Sequence, residues 1–101
     1  MLERVIFRTE YDDNMEKYLA IFPDDSAFPG RIAYIPFYFT EHNTVFECYG
    51  EMDLDYYYSK TKSIKDNKIV KRLLNTLENY CGMEFRVVKK MIKNRFNRRL
   101  I

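Results

Sequence analysis

The chain has 101 residues, 47% of them hydrophobic and 17% aromatic, with three glycines and three prolines, which predicts one folded domain over residues 1–101 and excludes a disordered chain. Its formal net charge of +2 is unevenly divided, because residues 1–57 hold four Lys/Arg and twelve Asp/Glu while residues 58–101 hold thirteen and three. Such a chain either pairs its two halves internally or exposes two faces of opposite charge.

A β-hairpin is predicted at the start of the chain. Residues 3–11 alternate between apolar and polar side chains, and residues 16–22 form a second, mostly apolar run. Between them, residues 12–14 are Asp, Asp and Asn, whose side chains hydrogen-bond their own backbone and favour turns. The pattern therefore predicts two strands joined by a short turn.

A third strand is predicted over residues 31–39, after a loop at 23–30 that contains prolines and a glycine. Pro36, within this strand, has no N–H to donate, so we expect an edge strand or a bulge at that point. An uncovered edge can pair with a second chain, and a homodimer through the sheet edge is one expectation for the oligomeric state.

Residues 46–58 (FECYGEMDLDYYY) alternate throughout and predict a long fourth strand beginning near Thr44, or two strands hinged by a bulge at Gly50. One side of this segment is expected to face the core: Phe46, Cys48, Gly50, Met52, Leu54, Tyr56 and Tyr58. The other side forms what we call the acidic stripe: Glu47, Tyr49, Glu51, Asp53, Asp55 and Tyr57.

The chemistry of the acidic stripe allows three interpretations. It can be a solvated face, matched in part by basic side chains on neighbouring strands, namely Arg4, Arg8, Lys17 and Arg31. As a metal site it is poor, because residues two apart on a strand are separated by about 6.6 Å, and only Asp53 and Asp55 could share a hard cation. It can also be a binding surface, since carboxylates interleaved with tyrosines complement a basic protein surface.

An amphipathic helix is predicted over residues 67–81, where apolar side chains recur at the spacing of one helical face. Asp66 is a suitable N-cap and Gly82 a suitable residue just past the end. Residues 83–90 fit either a strand that rejoins the sheet or a helix, and we favour a short strand followed by a basic tail at about 90–101. The sum is an α+β fold, a four-stranded antiparallel meander packed on one helix, with this final element added.

The C-terminal segment is unusually basic. Residues 85–99 hold seven Lys/Arg, which are the candidate nucleic-acid-binding residues: Arg86, Lys89, Lys90, Lys93, Arg95, Arg98 and Arg99. A second cluster surrounds the predicted helix start: Lys60, Lys62, Lys65, Lys68, Lys71 and Arg72. Such clusters are the electrostatic footprint of nucleic-acid binding, although lysines on an amphipathic helix also serve simply as its wet face.

The residue types needed for most enzyme chemistries are missing from the pattern. His42 is the single histidine, and the cysteines Cys48 and Cys81 have no motif spacing, so we predict no catalytic residues, no metal site and no cofactor. The glycines are isolated, which excludes a glycine-rich phosphate loop. A metal-independent RNase-type toxin, built from Lys, Arg, Tyr and Glu, is the one enzymatic alternative.

The location and function expected from these patterns are those of a small binding protein. No apolar run is long enough to span a membrane and no signal-peptide pattern opens the sequence, so we expect a cytoplasmic protein without membrane contact. The leading hypothesis is a non-enzymatic protein whose acidic stripe binds a basic protein partner. By analogy of size and charge, this would be an inhibitor of a nucleic-acid-processing machine from a phage or mobile element. The alternative is a nucleic-acid-binding module that acts through the basic C-terminal segment.

Overall fold

The computed structural model describes residues 2–12, 15–25 and 30–89. Within these ranges the protein is α+β, a curled mixed sheet of seven strands with two helices. The strands are β1 (Glu3–Asp12), β2 (Met15–Phe22), β3 (Arg31–Phe39), β4 (Thr44–Phe46), β5 (Gly50–Asp53), β6 (Thr61–Ser63) and β7 (Phe85–Val87); the helices are α1 (Leu54–Lys60) and α2 (Asn67–Cys81). The predicted α+β class is confirmed, and the sheet is larger than the four antiparallel strands expected.

The sheet is built around the hairpin of β1 and β2, which pair antiparallel from Ile6 with Ile21 to Asp12 with Met15. The predicted hairpin is therefore confirmed. The strand order is β4-β3-β2-β1-β6, with β5 also on β3 and β7 also on β1. The pairing of β7 with β1 is parallel and the other strand pairs are antiparallel, which makes the sheet mixed.

Successive strand residues point to opposite faces of the sheet, and a helix packs on each face, so both faces contain buried residues. The face covered by α2 buries nine residues: Val5, Phe7, Ala20, Phe22, Ala33, Phe37, Leu73, Leu77 and Phe85. The opposite face, covered by α1, buries six: Ile6, Leu19, Ile21, Ile32, Met52 and Tyr57. The central strands are therefore apolar on both sides, as in β1, where Val5 and Ile6 are each at most 1% exposed.

The predicted helix over residues 67–81 is confirmed as α2, together with both of its expected ends. Asp66 accepts a hydrogen bond at Oδ1 from the N–H of Lys68 (2.9 Å). Gly82 adopts the left-handed conformation (φ 69°) and its N–H donates to the carbonyl of Glu78 (2.8 Å). No helix in the described part of the chain is both long enough and apolar enough to cross a lipid bilayer.

A β-bulge separates β4 from β5 and reverses the inward and outward positions along this part of the chain. Phe46 pairs with Phe37 and Gly50 pairs with Tyr34, so three residues on one side face two on the other. Phe46 consequently packs on the α2 face, whereas Met52 packs on the opposite face. The predicted alternative of two strands hinged by a bulge is confirmed, with the bulge at 47–49 directly before Gly50. The single alternation of faces predicted over 46–58 is wrong, because one extra residue flips the later side chains.

Pro36 lies opposite this bulge on β3, which pairs with β2 on one side and with β4 and β5 on the other. The expectation of an edge strand at Pro36 is therefore wrong, and the bulge lies in the facing segment 47–49 and not in the strand that holds Pro36. The carbonyl of Pro36 accepts a hydrogen bond from the N–H of Glu47 (2.8 Å). Since proline has no N–H to return, the ladder loosens where the facing chain bulges.

The segment after α2 rejoins the sheet as β7, which pairs Phe85 with Glu3 and Val87 with Val5. Phe85 is buried and Val87 is half-buried against the same core. The strand interpretation is confirmed for residues 85–87. The predicted basic tail, about 90–101, lies outside the described residues.

Candidate functional site

The acidic stripe does not exist as a row of exposed side chains, because the chain becomes helical at Leu54. Asp53 is the N-cap of α1, and its Oδ1 accepts a hydrogen bond from the N–H of Tyr56 (2.8 Å). Tyr57, predicted on the outer side, is buried at 2% exposure. Tyr58 is 48% exposed and Cys48 is exposed, although both were predicted to face the core. A capping aspartate followed by three tyrosines is compatible with a short helix, and the two-residue alternation concealed that signal.

Two carboxylates of the acidic half form ion pairs within the protein. Glu47, from the predicted stripe, lies 2.9 Å from Nζ of Lys17 on β2. Arg4 donates two hydrogen bonds to Asp24, from Nε (2.8 Å) and from Nη2 (2.6 Å), and this bonding raises the pKa of the Arg4 guanidinium. The contact of Glu47 with Lys17 agrees with the interpretation of the stripe as a face that basic neighbours partly match, whereas Arg4 pairs with a carboxylate outside the stripe.

A different group of acidic residues is defined by the charges that act on Glu3 and on Tyr49, and we call it the acidic pole: Glu3, Asp24, Asp25 and Glu51. Partial burial raises the pKa of Glu3, and the charges of Asp25 and Asp24 raise it further. Tyr49 adjoins this group at 54% exposure, and desolvation followed by the charges of Asp25 and Glu51 raises the pKa of its hydroxyl. Of the six stripe residues, only Glu51 belongs to the acidic pole, and Tyr49 is adjacent to it.

A crevice opens beside β1, between the ends of the two short strands β6 and β7 that pair with it. β6 runs antiparallel to β1 and ends with Ser63 opposite Arg8, whereas β7 runs parallel to β1 and ends with Val87 opposite Val5. Beyond these ends the chain diverges, with Ile64 packed toward the α2 face and residue 88 packed toward the opposite face.

The crevice has a volume of about 610 Å³, within the range typical of ligand sites. Its apolar lining comes from both sheet faces and both helices: Phe7, Tyr57, Tyr58, Ile64, Val70, Val87 and Val88. Its polar lining consists of Ser63 and three cations, Arg8, Lys65 and Lys89. No carboxylate is among the described residues that line it, so we call it the basic crevice.

Arg8 is held in a fixed position in the lining of the basic crevice. Its Nε donates to Oγ1 of Thr61 (2.6 Å) and its Nη2 donates to the Thr61 carbonyl (2.9 Å). The guanidinium carbon lies 4.3 Å from the centre of the Tyr57 ring, a cation–π contact. The Thr61 hydroxyl in turn donates to the carbonyl of Tyr57. Two of the five guanidinium donors are used by Thr61, and the group presents its charge to the crevice in a fixed orientation.

The candidate nucleic-acid-binding residues are divided by the limits of the described chain. Lys89 is exposed and lines the basic crevice, and Arg86 is exposed on β7. The other five lie outside the described residues: Lys90, Lys93, Arg95, Arg98 and Arg99. The fold thus brings Lys89 together with Lys65, which belongs to the second basic cluster around the helix start.

Sequence reasoning missed Arg8 and Tyr58 as members of this site. Arg8 was placed correctly on the side of β1 away from Val5 and Phe7, but its neighbours there come from residues more than 50 positions later in the chain. Tyr58 was assigned to the core because the helical start at Leu54 was not recognised. The triple tyrosine at 56–58 carried no signal that separates the two structures, since a strand and a helix both place Tyr57 and Tyr58 on different sides.

Metal and nucleophile chemistry find little support in the described geometry. Within residues 2–12, 15–25 and 30–89, no group of three His, Cys, Asp or Glu side chains is placed to hold a metal ion. The His42 side chain is 82% exposed, and its Nε2 lies 3.9 Å from a carboxylate oxygen of Glu41. Cys48 and Cys81 are both free thiols, and partial burial, with the charge of Glu3, raises the pKa of Cys81 away from the reactive thiolate.

Comparison with protein-family models, with curated proteins and with solved structures finds no match for this chain.

Proposed function

We propose that this chain is a nucleic-acid-binding protein whose working surface is the basic crevice. The observation that carries the proposal is the convergence of Arg8, Lys65 and Lys89, from three distant parts of the sequence, on one crevice without a described carboxylate. Cations that neutralise phosphates supply most of the sequence-independent affinity for nucleic acid. An exposed aromatic ring at the same place, Tyr58, adds a surface on which a base can stack.

The basic tail extends the charge of this crevice along the chain. Residues 90–101 carry five Lys/Arg and no Asp/Glu, and they follow directly after Lys89 at the crevice. A run of cations in the sequence favours a polyanion, such as a nucleic-acid strand, over a single small anion.

The proposed activity is binding, without cleavage of the ligand. The single histidine lies in an exposed turn. The Tyr56 hydroxyl donates to a carboxylate oxygen of Glu10 (2.7 Å), but neither residue lines the basic crevice. The RNase-type alternative makes a separate prediction, because it requires RNA to shorten during incubation. A denaturing gel of labelled RNA after incubation with the protein decides between the two.

The test of the proposal compares two double charge reversals by fluorescence anisotropy with labelled RNA and DNA. Lys65→Glu/Lys89→Glu removes two crevice cations, and Lys68→Glu/Lys71→Glu makes the same change in net charge at exposed α2 positions outside the crevice lining. Each phosphate contact contributes about 0.7 to 0.9 to the magnitude of the slope of log affinity against log salt concentration. Because the crevice variant loses two contacts, we expect the magnitude of its slope to fall by about 1.4 to 1.8. An equal loss in both variants would mean that affinity follows net charge, and no binding by the unchanged protein at 50 mM salt would refute the proposal.

A second candidate function is the binding of a basic protein surface at the acidic pole. It is favoured by one observation, the half-exposed Tyr49, which feels the charges of Asp25 and Glu51. Tyrosine is enriched at protein interfaces, and carboxylates complement a basic partner surface. This candidate keeps the hypothesis of an inhibitor of a nucleic-acid-processing protein but changes its surface. Its test is capture of a basic partner by the protein and by Asp25→Lys/Glu51→Lys, with Asp55→Lys as an exposed control outside the pole.

A further inference from the structure

The lining of the basic crevice combines a deep apolar floor with a cationic rim. The accessible apolar floor comes from the half-buried Ile64, Val70, Val87 and Val88, since Phe7 and Tyr57 are only 5% and 2% exposed. The cationic groups of the lining belong to Arg8, Lys65 and Lys89, and both lysines are exposed. A surface that only neutralises phosphates does not need an apolar floor, because phosphates remain hydrated. The lining therefore suits a ligand with one flat apolar part and one anionic part.

We infer that the basic crevice accepts an unpaired nucleobase, so that its ligand is a single strand and not a duplex. This inference rests on the proposed function. In a duplex the bases are stacked inside and the outer surface presents phosphates, whereas a single strand can place its bases on aromatic side chains. A base on the apolar floor with its phosphates at Lys65 and Lys89 would match both parts of the lining.

Tyr58 is positioned to contact such a base. Its ring stands perpendicular to that of Tyr57, with the ring centres 4.9 Å apart, an edge-to-face geometry that aromatic pairs favour. Tyr57 is fixed by burial and by the Arg8 guanidinium over its ring. Tyr58 is thereby held against a rigid neighbour while 48% of its surface stays exposed at the crevice. An aromatic ring held in this way loses little conformational freedom when a base stacks on it.

Arg8 and Ser63 can supply polar contacts to the same nucleotide. The Arg8 guanidinium is anchored through Nε and Nη2, and its planar fork suits phosphate oxygens or the acceptors of a base edge. Ser63 adds a hydroxyl that can donate or accept. These groups recognise chemistry shared by a free mononucleotide and by one nucleotide of a strand. The basic tail that follows Lys89 favours the strand.

The experiment measures anisotropy with a labelled 12-nucleotide single strand, with its duplex of the same sequence, and with AMP and poly-L-glutamate as competitors. We expect the single strand to bind at least tenfold more tightly than the duplex. We expect Tyr58→Ala to weaken single-strand binding roughly 5- to 150-fold, the range that base–aromatic stacking supplies, and to leave duplex binding nearly unchanged. Tyr58→Phe keeps the ring and should retain affinity, and Tyr11→Ala, a 75% exposed tyrosine outside the crevice lining, should have no effect.

The outcomes separate this inference from the proposed function. Equal affinity for single strand and duplex, with no effect of Tyr58→Ala, would overturn the inference and leave nucleic-acid binding in place. Competition by AMP as strong as by the single strand would overturn the assignment of a strand. Binding of poly-L-glutamate in preference to either nucleic acid would overturn both, and so would the absence of any binding at 50 mM salt.

Discussion

Adjacent tyrosines on α1 are expected to have opposite roles, and replacing each by alanine tests this. Tyr57 is 2% exposed and packs among Ile6, Leu19 and Met52, so Tyr57→Ala leaves a cavity and costs about 3–5 kcal/mol of unfolding free energy. The change also removes the Arg8 cation–π contact, which is worth about 0.5–2 kcal/mol. These contributions overlap, and we expect a total near 4 kcal/mol. For a domain of this size, that lowers the thermal midpoint by roughly 15–30 °C.

The assay is urea unfolding followed by circular dichroism, with Tyr58→Ala as the matched control. Tyr58 is half-exposed, and losing its edge-to-face contact with Tyr57 costs about 1 kcal/mol or less. Tyr57→Ala should therefore be the unstable variant and Tyr58→Ala the stable variant with impaired binding. An unchanged urea midpoint for Tyr57→Ala, or a larger loss for Tyr58→Ala, would refute the placement of α1 on the sheet.

Two further predictions concern the core and the acidic pole. Leu77→Ala should cost about 2–5 kcal/mol because Leu77 is fully buried, and Leu74→Ala, at a half-buried position, should cost clearly less; equal losses in urea unfolding would contradict the assigned helix face. Glu3→Gln should raise the unfolding free energy at pH 7 and change it little at pH 4. The folded-state pKa of Glu3 is raised by burial and by the charges of Asp25 and Asp24. The contribution of Glu3 to the free energy of unfolding therefore falls as the pH rises from about 4.3, the unfolded-state pKa, through the folded-state pKa. A gain from Glu3→Gln that is larger at pH 4 than at pH 7 would reverse this sign.

The regular elements of the first half and of α2 could be predicted because their signals are local. α2 has an apolar stripe whose buried members are Leu73 and Leu77. It also has an aspartate as its N-cap and, just past its end, a glycine in the left-handed conformation. Each of these features acts over one or two helical turns and does not depend on distant partners. The hairpin of β1 and β2 is equally local, since its two strands are neighbours in the sequence and the Asp and Asn residues at 12–14 are a turn signal.

The segment from 46 to 58 could not be predicted because two structures compete for the same pattern. Strict alternation favours a strand, but the bulge opposite Pro36 shifts the register by one residue and reverses the faces. Gly50 allows the chain to pass close to β3, where an added Cβ would lie 3.2 Å from the Tyr34 ring. After Asp53 caps α1, the period changes to that of a helix and the acidic stripe is lost.

The basic crevice could not be predicted for a different reason, which is that its parts are far apart in the sequence. Arg8, Lys65 and Lys89 meet only because β6 and β7 both pair with β1 and end close to one another. The charge asymmetry of the chain did indicate two regions of opposite sign. What the sequence left open was which of the thirteen cations of its second half would share a site with Arg8.

The most direct test of the central claim is to map the ligand site by NMR, with ¹⁵N-labelled protein titrated with a short unlabelled single strand at low salt. We expect the largest amide shifts at residues of the basic crevice, including Arg8, Tyr58, Ile64 and Lys65, with the amides around Tyr49 and Glu51 nearly unmoved. Shifts centred on the acidic pole, or no shifts at all, would contradict the claim that the basic crevice is the working surface of this protein.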